Sequence, residues 1–196
     1  MEKKKLEKGN YGYLKKNKLI QLSFTLGLMI IVAIIFYTGY IKYGNTKNIF
    51  TVLAIVSVIP MAKFVVGYLV IAKYNSISED EQNKLQTQIK HELLYDLIIS
   101  SPEKIYPTKV AIVQDNSVYF YISDIKKNDN QSSDAKNMKN KIEKYVRSFL
   151  EKECKVSAVK VFMNFDEFIK MATMLEKNEN GKYDKRIKEL LLIYSM

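Results

Sequence analysis

The chain has no tryptophan, and its 196 residues include one histidine, one cysteine, three prolines and seven glycines. A lone thiol, Cys154, makes no internal disulfide and suits a reducing compartment. His91 and Cys154, one of each, fall short of the clustered ligands that a zinc site needs. Beyond residue 73 the only glycine is Gly181, so no glycine-rich loop lets backbone approach a nucleotide phosphate. Serine-nucleophile elbows are absent as well, and no cofactor is expected. Negative charge is scarce at the start, where residues 1–18 carry seven lysines against Glu2 and Glu7.

What is present in abundance is two long apolar runs, residues 19–41 and 49–72, separated by a short loop at 42–48. Each run, as a helix rising ~1.5 Å per residue, is about 35 Å long, enough to cross a hydrocarbon core of about 30 Å. Both read as transmembrane helices, and Lys63 is the only formal charge inside them. A secretory signal is the competing reading of the first run. Its apolar core is too long, and Tyr40-Ile41-Lys42-Tyr43 follows it instead of a small-x-small cleavage site.

The net charge of +10 divides unevenly: most of it lies in residues 1–72, and residues 73–196 are close to neutral. Basicity therefore reads as a topology signal, and no nucleic-acid partner is expected. Lysine excess stays on the cytoplasmic side, which predicts residues 1–18 inside, loop 42–48 outside and 76–196 back in the cytoplasm. Tyr37, Tyr40, Tyr43 and Phe50 fall at the outer rim, with Tyr68 and Tyr74 toward the inner one.

Polar residues within the spans invite attention because burying them in lipid is costly. With the helices antiparallel, Lys63 comes level with Gly27. Ser23 and Gly27 form a small-residue face for close approach, while Thr25 and carbonyls freed by Pro60 are candidate acceptors for the ammonium. Pro60 is expected to kink its helix. Lys63 either snorkels to the cytoplasmic interface, its stem in lipid, or forms part of a partner-binding element. The expected partners are the bilayer, an unidentified membrane or cytoplasmic protein, and further copies of the chain associating through the hairpin.

Ser78 and Glu81 make a capping box for a helix over 79–92. Residues 93–100 read as a strand, and 108–114 and 117–123 as two more around an Asp115-Asn116 turn. An amphipathic helix follows at 134–153, a strand at 156–163, a helix capped by Asn164, and a last helix that finishes as a strand at 191–194. The predicted class is α+β: a transmembrane helical hairpin followed by a small mixed-sheet domain of order αβββαβα(β).

That order resembles the core of the PD-(D/E)xK nucleases, and Asp124-Ile125-Lys126 is literally D-x-K. The resemblance implies Mg²⁺ held by Asp124 with Asp96 or Asp115, and Lys126 beside the attacking water. Asp115 at the hairpin tip and Asp124 at its far end are about 30 Å apart at ~3.3 Å per residue, which argues against it. The basic residues Lys136, Lys139, Lys141, Lys144 and Arg147 on the amphipathic helix form either a solvated face or a contact for anionic lipid head groups. Taken whole, residues 48–66 (NIFTVLAIVSVIPMAKFVV), 94–101 (LYDLIISS) and the lysine-rich start resemble a group of small two-helix membrane proteins of low-GC Gram-positive bacteria. That resemblance implies no activity and no catalytic residues. The leading expectation is a membrane-anchored, non-enzymatic binding or scaffold module; the alternative is a membrane-tethered nuclease-like domain.

Overall fold

The computed structural model describes residues 7–101, 105–122, 132–175 and 181–195. The chain divides into two compact units: residues 14–75, and residues 7–13 together with the described part of 76–196.

The first unit is the helix pair. Helix α1 spans Tyr13–Tyr43 and α2 spans Ile49–Ala72, each with an 18-residue stretch whose mean hydropathy is 2.5 and 2.4 respectively. Both are long and apolar enough to cross a membrane, and their apolar side chains point outward: Ile41 is 66% exposed and Ile59 71%. Such a surface suits lipid and is poorly matched to water. Helix α1 starts six residues before the expected span, so Lys15, Lys16 and Lys18 ride on it rather than in a loose tail. Nothing between Tyr13 and Leu19 breaks a helix, whereas Gly12, at φ +79°, cannot join one. Asn48 caps α2, accepting from Thr51 N at 3.0 Å and donating to Gly39 O at 3.3 Å. At the other end, Lys18 Nζ donates to Ala72 O at 2.8 Å and to Tyr74 O, placing a cation on the carbonyl end of a helix that has no basic residue in its last turn. Helix α2 continues without a break through Pro60.

The second unit is built on a four-stranded mixed sheet. Strands β1 (Leu93–Ser100), β2 (Ile105–Gln114) and β3 (Ser117–Tyr121) form an antiparallel meander, and β4 (Ala158–Phe162) pairs parallel to β3. Helix α3 (Glu79–Gln88) precedes the sheet, α4 (Ser132–Leu150) is the crossover to β4, and α5 (Phe165–Met174) and α6 (Asp184–Tyr194) follow. The α+β class expected from the residues is the class observed. Helices cover both faces: Ile142, Val146, Leu150, Ile187 and Leu191 close one core around Phe120, while Leu85, Phe168 and Ala172 close the other around Ile112.

Local chemistry sets the helix starts as expected. Ser78 and Glu81 form the reciprocal capping box, and Asn164 Oδ1 accepts from Asp166 N at 2.8 Å. Two boundaries differ from expectation. Helix α3 stops at Gln88, leaving His91 in the connection to β1. The expected strand at 191–194 is the end of α6, because Ile187, Leu190 and Leu191 share one buried helical stripe. The order is accordingly αβββαβαα. The Asn180 half of the expected Asn180-Gly181 turn, with residues 123–131, lies outside the described residues.

Asp96 has φ +56° in the middle of β1, where side chains such as aspartate rarely sit. Register is unbroken across it, Tyr95 opposite Val110 and Leu97 opposite Thr108. The faces nevertheless exchange. Leu94 and Leu97, three apart, point into the same core, and so do Thr108's neighbour Tyr106 and Ala111 on the partner strand. Residues 93–99 show no period-two alternation in sequence because both faces of β1 are buried under helices.

Both sheet edges are protected from pairing with other chains. On β4, Glu143 of α4 accepts from Val161 N at 2.8 Å, and Lys160 is exposed. On β1, Gly9 bridges Tyr95 and Ser195 bridges Ile99, so the two ends of the chain cover one edge strand.

Candidate functional site

Among the described residues, a groove of about 640 Å³ lies beside the start of β1. One wall is residues 7–11, the other is the end of α3 with residues 89–95, and Leu192 of α6 closes the floor. The first wall is tied down by Tyr95 N donating to Gly9 O at 2.7 Å and Lys8 Nζ donating to Ser195 O at 2.8 Å. The ring of Tyr11 meets that of Tyr95 edge-on, 5.8 Å between centroids.

The opposite wall carries polar groups already set in place. His91 Nε2 lies 3.2 Å from Leu175 O; a carbonyl only accepts, so Nε2 bears the proton and Nδ1 is an acceptor in the neutral ring. Glu92 pairs with Lys188 at 2.6 Å. The Tyr95 hydroxyl is buried without a hydrogen-bond partner, and burial, with a smaller contribution from Tyr11, pushes its pKa up to about 12. The Tyr11 phenol is also raised, by burial first and then by Glu79 and Asp96. The groove therefore combines both signs of charge with an apolar floor from Ile89, Leu94 and Leu192. Its walls are distant in sequence, and no local motif announces it.

The residues singled out from the sequence fall in other places. Asp96 is buried and accepts from Ser76 Oγ at 2.8 Å. It stands at the level of Lys109, six residues from Asp115, or about 20 Å along the strand at ~3.3 Å per residue. Asp96 and Asp115 therefore cannot share one metal ion. Asp124 and Lys126 lie outside the described residues, and among the described residues no three His, Cys, Asp or Glu side chains cluster as metal ligands. Cys154 is buried and donates to Leu150 O at 3.3 Å; burial, then Glu153, raises its pKa, with Arg186 opposing.

Within the helix pair, Lys63 is exposed. Ser23 and Gly27 are exposed too, and a Cβ built on Gly27 would meet nothing within 4 Å. The close approaches use other glycines: Gly39 lies against Phe50 and Asn48, and Gly67 against Gln21. Phe24 and Phe64 stack at 5.2 Å between them. Thr25 Oγ1 donates to Gln21 O at 2.9 Å within its own helix.

On α4, Lys136, Lys141, Lys144 and Arg147 are exposed, Lys139 is half-buried 5.7 Å from the Phe162 ring centroid, and Arg147 pairs with Glu151 at 2.6 Å. This helix covers the sheet face opposite the one on which Tyr11 and Ile77 pack. Tyr11 and Ile77 flank the two points where the chain enters and leaves the helix pair.

One buried carboxylate escaped the sequence. Asp184, 1% exposed, accepts from Asn116 N at 2.7 Å, Asp115 N at 3.1 Å and Gly181 N at 2.8 Å. Asp115 and Asn116 have φ of +50° and +57°, the geometry of a type I′ hairpin turn, so this carboxylate clamps the expected turn to the start of α6. A Cβ on Gly181 would lie 2.7 Å from Asn116 N. Gly181→Ala should therefore lower stability by about 2 kcal/mol, as overpacking does, read by urea unfolding.

No protein-family model, curated protein or solved structure matches the chain.

Proposed function

We propose that the protein is a membrane-anchored binding module, with 76–196 in the cytoplasm and the groove beside β1 holding a polypeptide partner. The observation that carries this reading is the joining of residues 7–13 and 76–196 in one compact unit with two apolar helices inserted between them. A chain that leaves a folded unit, makes two crossings and returns to it has both ends on one side. The lysine-rich start makes that side the cytoplasm. The groove's mixed lining, with acceptors, both charge signs and aliphatic floor, suits an amphipathic peptide segment better than a polyanion.

A photo-crosslinker placed at Gln86, on the groove wall, tests the reading in native membranes. A discrete protein adduct is expected from that position, weakened by Glu92→Arg and missing when the crosslinker stands at Lys144 on α4. Adducts of equal yield from both positions, or none from Gln86, would count against the groove.

A further inference from the structure

We propose that residues 7–12 form a releasable strap that closes the groove and transmits movement of α1 to it. This rests on the groove being the binding site, and it adds how access to that site is controlled. Among the described residues, few contacts tie the strap to the sheet. Its main-chain tie to the sheet is the isolated bridge between Gly9 and Tyr95, whereas β1 and β2 are joined by a ladder running from Leu93 to Ser100. Lys8 adds one bond to a carbonyl, and Tyr11 adds one aromatic contact. Gly9 rests on Leu192 and Leu94, and Tyr11 lies against Tyr95, so lifting the strap uncovers these side chains without unpairing the β1–β2 ladder.

Two glycines give the strap its form. Gly9 has φ +88°, and a Cβ there would lie 2.9 Å from Leu192 Cδ2 and 3.2 Å from Leu94 Cδ2, so only glycine lies this close to the floor. Gly12 has φ +79° with nothing within 4 Å of a built Cβ, so its glycine serves the bend alone. Tyr13, the next residue, begins α1. No slack separates the bend from the helix, and a shift or tilt of α1 pulls directly on Tyr11 and Gly9. Helix α1 runs without a break from Tyr13 through Lys15, Lys16 and Lys18 into the apolar run, so a tilt of that run with bilayer thickness reaches the strap along one continuous helix.

Hydrogen exchange at residue resolution, on the full chain in nanodiscs without any partner, tests this. The Tyr95 amide, whose acceptor is Gly9 O, should exchange roughly 100-fold faster than the ladder amides between β2 and β3, because strap opening does not require unfolding. Its rate should shift by about threefold or more between thin and thick bilayers while the ladder rates stay constant. Gly9→Val should accelerate Tyr95 alone. Exchange of Tyr95 at the ladder rate would show that the strap is an integral part of the sheet and overturn the proposal. A fast Tyr95 rate indifferent to bilayer thickness would overturn the link to α1. Neither readout involves the partner, so a failure here is distinct from a failure of the Gln86 crosslink.

Discussion

Asp184→Ala should cost the sheet domain about 3 kcal/mol of stability, measured by urea unfolding followed by circular dichroism. The carboxylate accepts three backbone N–H groups from two segments, and its removal leaves those donors buried and unpaired. Asp115 and Asn116 also lose the contact that holds them in left-handed backbone conformation. Asp184→Asn should be nearly as damaging. An amide offers a single acceptor oxygen and turns an NH₂ group toward backbone donors. A loss below about 1 kcal/mol in both variants would mean that the clamp is incidental to the fold.

Phe120→Ala should be the more severe change, at about 4 kcal/mol by the same measurement. Phe120 is fully buried at the centre of β3, opposite Ala111 on one side and Val161 on the other. The small Ala111 cannot expand into the space, so much of the cavity persists. Helices α4 and α6 both pack on that core, and the loss should appear as a single cooperative transition rather than as fraying of one element.

These two residues mark what could and could not be seen in the sequence. Phe120 lies in a run of β-forming residues beside a two-residue turn, a local signal that the structure bears out. Asp184 works through partners nearly seventy positions away, and no local pattern distinguishes it from any aspartate at a helix start. The hairpin helices were legible because length and apolarity alone define them. Their facing surfaces were not. A helix apolar all round carries no stripe to fix its rotation, so Ser23 and Gly27 were as plausible a contact as Gly39 and Gly67. The end of α6 was misread for a related reason: Leu190-Leu191-Leu192-Ile193-Tyr194 is a short apolar run, compatible with either period until packing on β1 and β2 chooses. The groove was invisible because its walls come from residues 7–11, 86–95 and 192. In β1, burial of both faces under helices left no alternation that could assign side chains to one core or the other.

The most direct test of the account is the sidedness of the chain in intact cells. In a Cys154→Ala background, Asn45→Cys reports the loop between the helices and Asn83→Cys reports α3, both exposed positions. The account predicts that a membrane-impermeant maleimide labels position 45 from outside and position 83 only after the membrane is opened. Labelling of position 83 in sealed cells, or release of the whole protein from membranes without detergent, would contradict it.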